Sequence, residues 1–238
     1  MPKNVLITGG VSGLGLVLSQ WFITSGYNTF ILDKIDIQAL PQSFPGQIAR
    51  YYQINLSDSK EVMRLINNTE FPVFDVFVMN AFPRIFKDFV DFTSEEIIDF
   101  ANSGFTNQIL INHTILKSMV VHNTGKVIII GSKSALKGYS TGSLYCSLKM
   151  AHIGFFESVK KELKKCHSSV TVSLIHPDSF SSISKKHIDD SNPIIKKILV
   201  LINKIVNKDK FGQFYVFEWR TRLFLSSYFF LKMFNLIK

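Results

Sequence analysis

A serine, a tyrosine and a lysine are spaced in this chain in a way that suits proton transfer. Ser132 follows the apolar run Lys126–Ile130, and Tyr145 and Lys149 lie four residues apart at the start of a helical pattern. Residues four apart share one face of a helix. A free phenol titrates near pH ~10 and is a poor acid or base at neutrality. A neighbouring cation lowers that pKa, so we predict that Lys149 tunes Tyr145 while Ser132 hydrogen-bonds the substrate oxygen.

The spacing of Tyr145 and Lys149 alone also fits an exposed pair on a helix surface. The serine at a strand end, thirteen residues before Tyr145, favours the catalytic interpretation. Ligands of open α/β sheets bind at the carboxyl ends of the strands, which is where Ser132 is predicted to lie.

A glycine-rich turn follows the first predicted strand. Residues 4–8 read NVLIT, and residues 9–15 read GGVSGLG before a helical pattern. Such a cluster also fits a plain tight turn, but its place between a strand and a helix favours phosphate binding. Glycines let the backbone approach a pyrophosphate, and the helix amino terminus supplies N–H groups and partial positive charge.

An acidic residue, Asp33, ends the second predicted strand. A carboxylate there accepts hydrogen bonds from the adenosine ribose hydroxyls and repels a 2′-phosphate. The neighbouring Lys34 could instead pair with such a phosphate. The sequence favours NAD(H) over NADP(H) and leaves NADP(H) as the alternative.

These motifs resemble the short-chain dehydrogenase/reductase family from Val5 to about Ser182, as a divergent member. The resemblance implies an α/β fold with a Rossmann-type, doubly wound parallel sheet, and hydride transfer between NAD(P) and a small-molecule carbonyl or alcohol. It implies that Ser132, Tyr145 and Lys149 are catalytic and that Lys149 also binds the nicotinamide ribose. The implied cofactor contacts are Thr8, Gly9, Gly13, Leu14, Gly15, Asp33, Asn55, Leu56, Asn80, Ala81, Tyr145, Lys149, Pro177 and Ser182.

The chain departs from the family pattern at three positions. Phe82 stands for a glycine, Gly104 for the structural and catalytic asparagine, and Asp178 for a second glycine. Asn107, three residues after Gly104, is expected to replace the missing amide. The departures keep open a second hypothesis, a cofactor-binding scaffold or sensor without turnover.

The elements that position these residues follow from hydrophobic periodicity. Strands are predicted at 4–8, 28–32, 49–54, 74–79, 126–130, 170–175 and 211–217. A single long helix is predicted over 95–121, a helix capped by Ser57 begins after the third strand, and the amphipathic segment 193–206 is interpreted as a substrate lid. His176 is interpreted as a packing residue rather than a metal ligand, because no metal-ligand cluster surrounds it.

Composition indicates a globular protein of a reducing compartment. The 238 residues are 46% hydrophobic, and the two cysteines have neither metal-ligand nor disulfide-framework spacing. A net charge of +9 suits nucleic acid, anionic lipid or acidic substrates, but no nucleic-acid-binding motif is present. We predict no metal site, no nucleic-acid partner and a cytoplasmic location.

One domain is predicted over residues 1–218, followed by an apolar, basic tail at 219–238. The tail is too short to span a membrane. It suits either a homodimer or homotetramer interface or a peripheral contact with the inner face of the membrane. With Pro83 and Arg84, the segment after the fourth strand is similar to that of reductases of bacterial surface-glycan and flagellin-sugar pathways, which favours a sugar substrate. A lipid-like or steroid-like alcohol is the alternative substrate.

Overall fold

Alternating strands and helices build a parallel sheet with helices on both faces. The computed structural model describes residues 2–36, 38, 48–178, 192–208 and 210–216. The elements are β1 (Asn4–Thr8), α1 (Gly13–Thr24), β2 (Asn28–Asp33), β3 (Ile48–Gln53), α2 (Ser59–Asn68), β4 (Val76–Met79), α3 (Ser94–Ala101), α4 (Asn107–Val121), β5 (Lys126–Ile130), α5 (Ser143–Lys165), β6 (Thr171–Pro177), α6 (Pro193–Asn207) and β7 (Gln213–Val216). The described strands form one sheet in the order β3-β2-β1-β4-β5-β6-β7, with every pair parallel. The predicted Rossmann-type, doubly wound, single-domain fold is confirmed.

The strands are apolar because both faces of the sheet are covered. Alternate residues point to opposite faces: Leu6 packs with α2, α4 and α5, whereas Val5 and Ile7 pack with α1 and α6. The central strands β1, β4 and β5 are buried along most of their length. Packing on both faces therefore holds the strands, and with them their carboxyl ends, in fixed positions.

The strand order reverses between β1 and β4, since β1 leads to β2 on one side and β4 begins the other half. A crevice opens at such a point outside the carboxyl ends of the strands, and ligands bind there. The glycine-rich loop, the loop after β4 and Ser132 after β5 all lie at this edge.

The predicted helix over 95–121 is confirmed as one helical stretch over 94–121, but it contains a π-helical turn that was not predicted. Helices α3 and α4 are separated by a π-helical turn, Asn102–Thr106, with Gly104 buried at its centre. Turns of this type inside α-helices often lie at functional sites. Glycine lowers helix propensity, but hydrophobic periodicity alone does not reveal a π-turn.

Two further assignments are corrected. Helix α6 is not a lid, because Ile194, Ile198 and Ile202 are buried against the sheet and none of its residues lines the site cavity. Helix α2 is capped by Asp58, whose side chain accepts from two backbone N–H groups, and not by Ser57. Ser182 and the 219–238 tail lie outside the described residues. No helix in the described ranges has the length and hydropathy needed to cross a bilayer.

Candidate active site

A cavity of about 660 Å³ lies over the switch in strand order. It is lined by the loops that follow β1, β2, β3, β4, β5 and β6 and by the start of α5. The predicted site residues that it brings together are Gly9, Gly13, Leu14, Gly15, Asp33, Asn55, Leu56, Asn80, Ala81, Ser132, Tyr145, Lys149 and Pro177. Thr8 is not among the lining residues.

Two glycines of the β1–α1 loop are required by geometry. A Cβ on Gly15 would lie 1.8 Å from the Gly9 carbonyl oxygen, so no side chain fits there. Gly13 has φ +52°, and no heavy atom lies within 4 Å of the position a Cβ would take. Gly13 is the first residue of α1, so this open space adjoins the first turn of the helix, where backbone N–H groups favour an anion. This loop fits the pyrophosphate of a dinucleotide.

Thr8 is buried, and its hydroxyl links the residues that support the cavity from below. Its Oγ1 donates to Gln108 Oε1 at 2.9 Å and accepts from the backbone N–H groups of Asn80 at 3.0 Å and Ala81 at 3.1 Å. The Asn80 amide donates to the carbonyls of Thr8 and Gly9. Sequence reasoning missed Gln108, which is fully buried; a glutamine on the apolar face of a helix was the available signal.

Asp33 lines the cavity and also braces the loop. Its Oδ2 accepts from the Val11 N–H at 3.2 Å and its Oδ1 from the Ile35 N–H at 3.3 Å. Burial raises the pKa of Asp33, and these backbone hydrogen bonds oppose the rise. The exposed Lys34 lines the same cavity, so both of the charged residues considered in the sequence lie in its lining.

Ser132 and Tyr145 both line the cavity. Ser132 has extended backbone, and its Oγ accepts from the Ser134 N–H at 3.1 Å. Burial raises the pKa of Tyr145, while a hydrogen bond with the Ser132 side chain and the charge of Arg84 lower it. The expectation that Lys149 lowers the pKa of Tyr145 is wrong for this structure, because burial dominates.

Lys149 is buried, and its amine is held by groups other than Tyr145. Its Nζ donates to the Ile130 carbonyl at 2.7 Å and lies 3.8 Å from the centroid of the Phe82 ring. Burial lowers the pKa of Lys149 to about 7. The four-residue spacing brings Lys149 to the site, but the direction of its side chain depends on the strand and loop packed against it.

His176 supports Ser132 from below. Its Nδ1 donates to the Ser132 carbonyl at 2.9 Å, which leaves Nε2 to accept from Gln213 Nε2 at 2.9 Å. The imidazole stacks on Tyr215 with 5.0 Å between centroids, and burial lowers its pKa to about 4. A neutral His176 is thus a positioning group for Ser132, as well as the packing residue that was predicted.

The three departures from the family pattern have defined places. Asp178 lines the cavity and forms an ion pair with Lys133. Phe82 lines the cavity beside Tyr145, with 5.0 Å between ring centroids. Asn107 does not replace the amide missing at Gly104, because its Nδ2 donates to the Leu56 carbonyl at 2.9 Å and it does not line the cavity.

We expect the buried amine of Lys149 to lower the free energy of unfolding. Below about pH 7 the folded chain buries a charge that the unfolded chain leaves in water, and this cost fades as the pH rises toward ~10.4. Lys149→Met is expected to raise the free energy of unfolding by on the order of 1–3 kcal/mol at pH 6, after the loss of the hydrogen bond to Ile130. Urea unfolding at pH 6 and pH 10 tests this, and an equal effect at both pH values would contradict it.

Comparisons with known proteins agree with this geometry. The family model described as short chain dehydrogenase matches residues 3–192. The uncharacterized oxidoreductase YxnA of Bacillus subtilis is 27% identical over 195 residues, which cover 77% of this chain and 53% of that protein. The 3-oxoacyl-acyl-carrier-protein reductase MabA of Mycobacterium avium is 25% identical over 195 residues, or 80% of this chain and 72% of that protein. The chain thus spans about half the length of the Bacillus relative.

Solved structures support the fold at lower identity. A short-chain dehydrogenase from Streptomyces avermitilis superposes with a TM-score of 0.79 at 17% identity, covering 99% of this chain and 96% of that one. A 4-hydroxyisoleucine dehydrogenase complexed with NADH superposes with a TM-score of 0.76 at 17% identity, covering 90% and 96%. With its glycine-rich loop, Ser132, Tyr145 and Lys149 around one cavity, the chain belongs to the short-chain dehydrogenase/reductase family of NAD(P)-dependent oxidoreductases.

Proposed function

We propose that this chain interconverts a carbonyl and a hydroxyl group on a small molecule, with Tyr145 as the proton donor and acceptor. The observation that carries the proposal is a single cavity lined both by the predicted catalytic residues and by the glycine-rich turn. Ser132, Tyr145 and Lys149 line it together with the glycine-rich turn, where the space around the Cβ position of Gly13 is open. A nicotinamide cofactor, when bound, supplies or accepts the hydride.

Each side chain has one task in the reductive direction. Ser132 donates a hydrogen bond to the substrate carbonyl oxygen and polarises it. Tyr145 gives its proton to that oxygen as negative charge develops on it. The resulting phenolate is stabilised by the charge of Arg84, which already lowers the pKa of Tyr145. His176 and the Ser134 N–H keep Ser132 in place.

The rim of the cavity supports a sugar-like substrate that carries a negative charge. Arg84 is exposed, lines the cavity and lies close enough to influence Tyr145. A guanidinium binds carboxylate or phosphate through paired N–H groups. The half-exposed ring of Phe86 lies beside Tyr145, with 5.3 Å between centroids, and offers an apolar face to a sugar ring. A lipid-like alcohol, which has no negative charge to pair with a cation at this rim, is the alternative substrate.

Turnover separates this proposal from the scaffold hypothesis. The purified chain is incubated with NADH or NADPH and a panel of sugar-derived and lipid-derived carbonyl compounds, and loss of the reduced nicotinamide absorbance is followed. We expect oxidation of the cofactor that depends on an anionic, polar carbonyl compound. Cofactor binding with no turnover on any compound would favour the scaffold, which the burial-raised pKa of Tyr145 supports.

Oligomeric state and location are also proposals. We propose a cytoplasmic homodimer or homotetramer, with the 219–238 tail either covering an interface or lying on the inner face of the membrane. Sedimentation of the full chain, with and without anionic vesicles, distinguishes these two roles. Loss of the oligomer on deletion of the tail supports an interface, and co-sedimentation with vesicles supports membrane contact.

A further inference from the structure

The ring of Phe82 lies directly under the catalytic lysine. Lys149 Nζ is 3.8 Å from the ring centroid and donates its hydrogen bond to the Ile130 carbonyl. A cation this close to an aromatic face is attracted by the ring quadrupole, and the attraction is strongest where water is excluded. Lys149 is 2% exposed, so this contact lies in such a place.

Neighbouring aromatic side chains fix the orientation of Phe82. Its ring makes edge-to-face contacts with Tyr145 at 5.0 Å, His152 at 5.7 Å and Phe100 at 6.0 Å between centroids. Edge-to-face pairs at these distances are favourable beyond the apolar area that they bury. The ring therefore has one preferred orientation, which presents its face to Lys149.

Gly104 makes room for this ring. A Cβ on Gly104 would lie 3.0 Å from Leu148 Cδ1, which is tighter than ordinary packing, and 3.4 Å from Phe82 Cε2 and Cζ, which is close van der Waals contact. The Gly104 carbonyl is also occupied, because it accepts from His152 Nε2 at 3.1 Å. Phe82 and Gly104, two separate departures from the family pattern in sequence, are thus one arrangement in space.

We propose that Phe82 is the positioning residue for Lys149: its ring face, rather than a polar side chain, holds the ammonium group at the Ile130 carbonyl and favours its charged form. The role in catalysis rests on the function proposed above, but the contact itself can be tested without turnover. Gly104 is the residue that admits the ring.

The titratable groups around Lys149 keep a fixed protonation state near neutral pH. His152 and His176 face it from α5 and β6, and burial lowers the pKa of both, so both are neutral near pH 7. Burial raises the pKa of Tyr145, so that phenol keeps its proton at the same pH. Near neutrality, Lys149 is therefore the group among these four whose charge changes.

The test is an NMR titration of lysine side chains labelled with ¹³C at Cε, in the presence and absence of NADH. The Lys149 signal is identified by its disappearance in Lys149→Arg and by a midpoint well below the ~10.4 of exposed lysines. Phe82→Leu keeps the apolar volume and removes the π face. We expect the Lys149 midpoint to fall by about 0.5–1.5 pH units in this variant.

Phe86→Leu is the matched control. Phe86 also contacts the Tyr145 ring, with 5.3 Å between centroids, but the described cation–π contact of Lys149 is with Phe82. We expect its Lys149 midpoint to match that of the unchanged chain. An unchanged midpoint in Phe82→Leu, or an equal fall in Phe86→Leu, would overturn the proposal.

Gly104→Ala keeps the proposal testable if Phe82→Leu fails to fold. The added methyl group presses on Leu148 and comes into close contact with the Phe82 ring, so the Lys149 midpoint is expected to fall by a smaller amount in the same direction. No change in the midpoint of a folded Gly104→Ala would count against the proposal. A midpoint that responds to Phe82 in a chain without turnover would reject the proposed function but retain the contact.

Discussion

Tyr145→Phe is expected to reduce kcat by about a hundredfold to ten-thousandfold, which is the usual contribution of a positioned acid or base. The substitution removes the hydroxyl that carries the transferred proton and keeps the ring that packs on Phe82 and Phe86. Cofactor affinity is expected to stay within a factor of about three, because the phenyl ring is retained. Steady-state rates and a fluorescence titration of NADH measure the two effects separately.

Tyr139→Phe is the control for this substitution. Tyr139 also lines the cavity, but it is about half exposed and is not assigned a proton. We expect a change in kcat of less than about fivefold in this variant. If Tyr145→Phe retained activity within that range, the proton would come from another group and the assignment of Tyr145 would be rejected.

Gly15→Ala is expected to weaken cofactor binding by at least about a hundredfold, or ~2.7 kcal/mol. Its Cβ would lie 1.8 Å from the Gly9 oxygen, which is backbone, so the loop must move. Displacing the loop removes the N–H groups that face a pyrophosphate from their positions. Isothermal titration with NADH measures the loss, and the melting temperature shows whether the fold survives.

Gly154→Ala is the matched control. Gly154 lies on the exposed face of α5, where a Cβ would meet no atom within 4 Å. Alanine in a helix interior is more stable than glycine, by about 0.5–1 kcal/mol. We expect this variant to be slightly more stable and to bind NADH as the unchanged chain does. Equal cofactor affinity in Gly15→Ala and Gly154→Ala would exclude the loop as the pyrophosphate site.

The fold and the location of the site are predictable because they follow from local patterns. Apolar runs gave the strands to within two residues, and the place of the glycine-rich turn after β1 indicated the phosphate loop. Ser132 at a strand end and Tyr145 four residues before Lys149 were enough to predict that the three share one cavity. Parallel strands end at the same edge of a sheet, so this inference needs no tertiary detail.

The orientation of side chains within the site depends on contacts distant in sequence. Lys149 reaches the Ile130 carbonyl and the Phe82 ring, which lie 19 residues or more away along the chain. Periodicity does not predict such contacts, and it did not predict the π-turn at Gly104. The sequence also suggested that Asn107 replaces an amide, whereas packing turns it toward Leu56.

Titration of the purified chain with NADH and with NADPH, followed by nicotinamide fluorescence, tests the central claim most directly. Asp33 at the adenosine end predicts saturable binding of NADH at least about tenfold tighter than that of NADPH, or ~1.4 kcal/mol. Asp33→Asn, which keeps one of the two oxygens that accept from the loop N–H groups, is expected to reduce that ratio. Tighter binding of NADPH would contradict the preference for NADH that is based on Asp33. Binding of neither cofactor would contradict the assignment of this cavity as an oxidoreductase site.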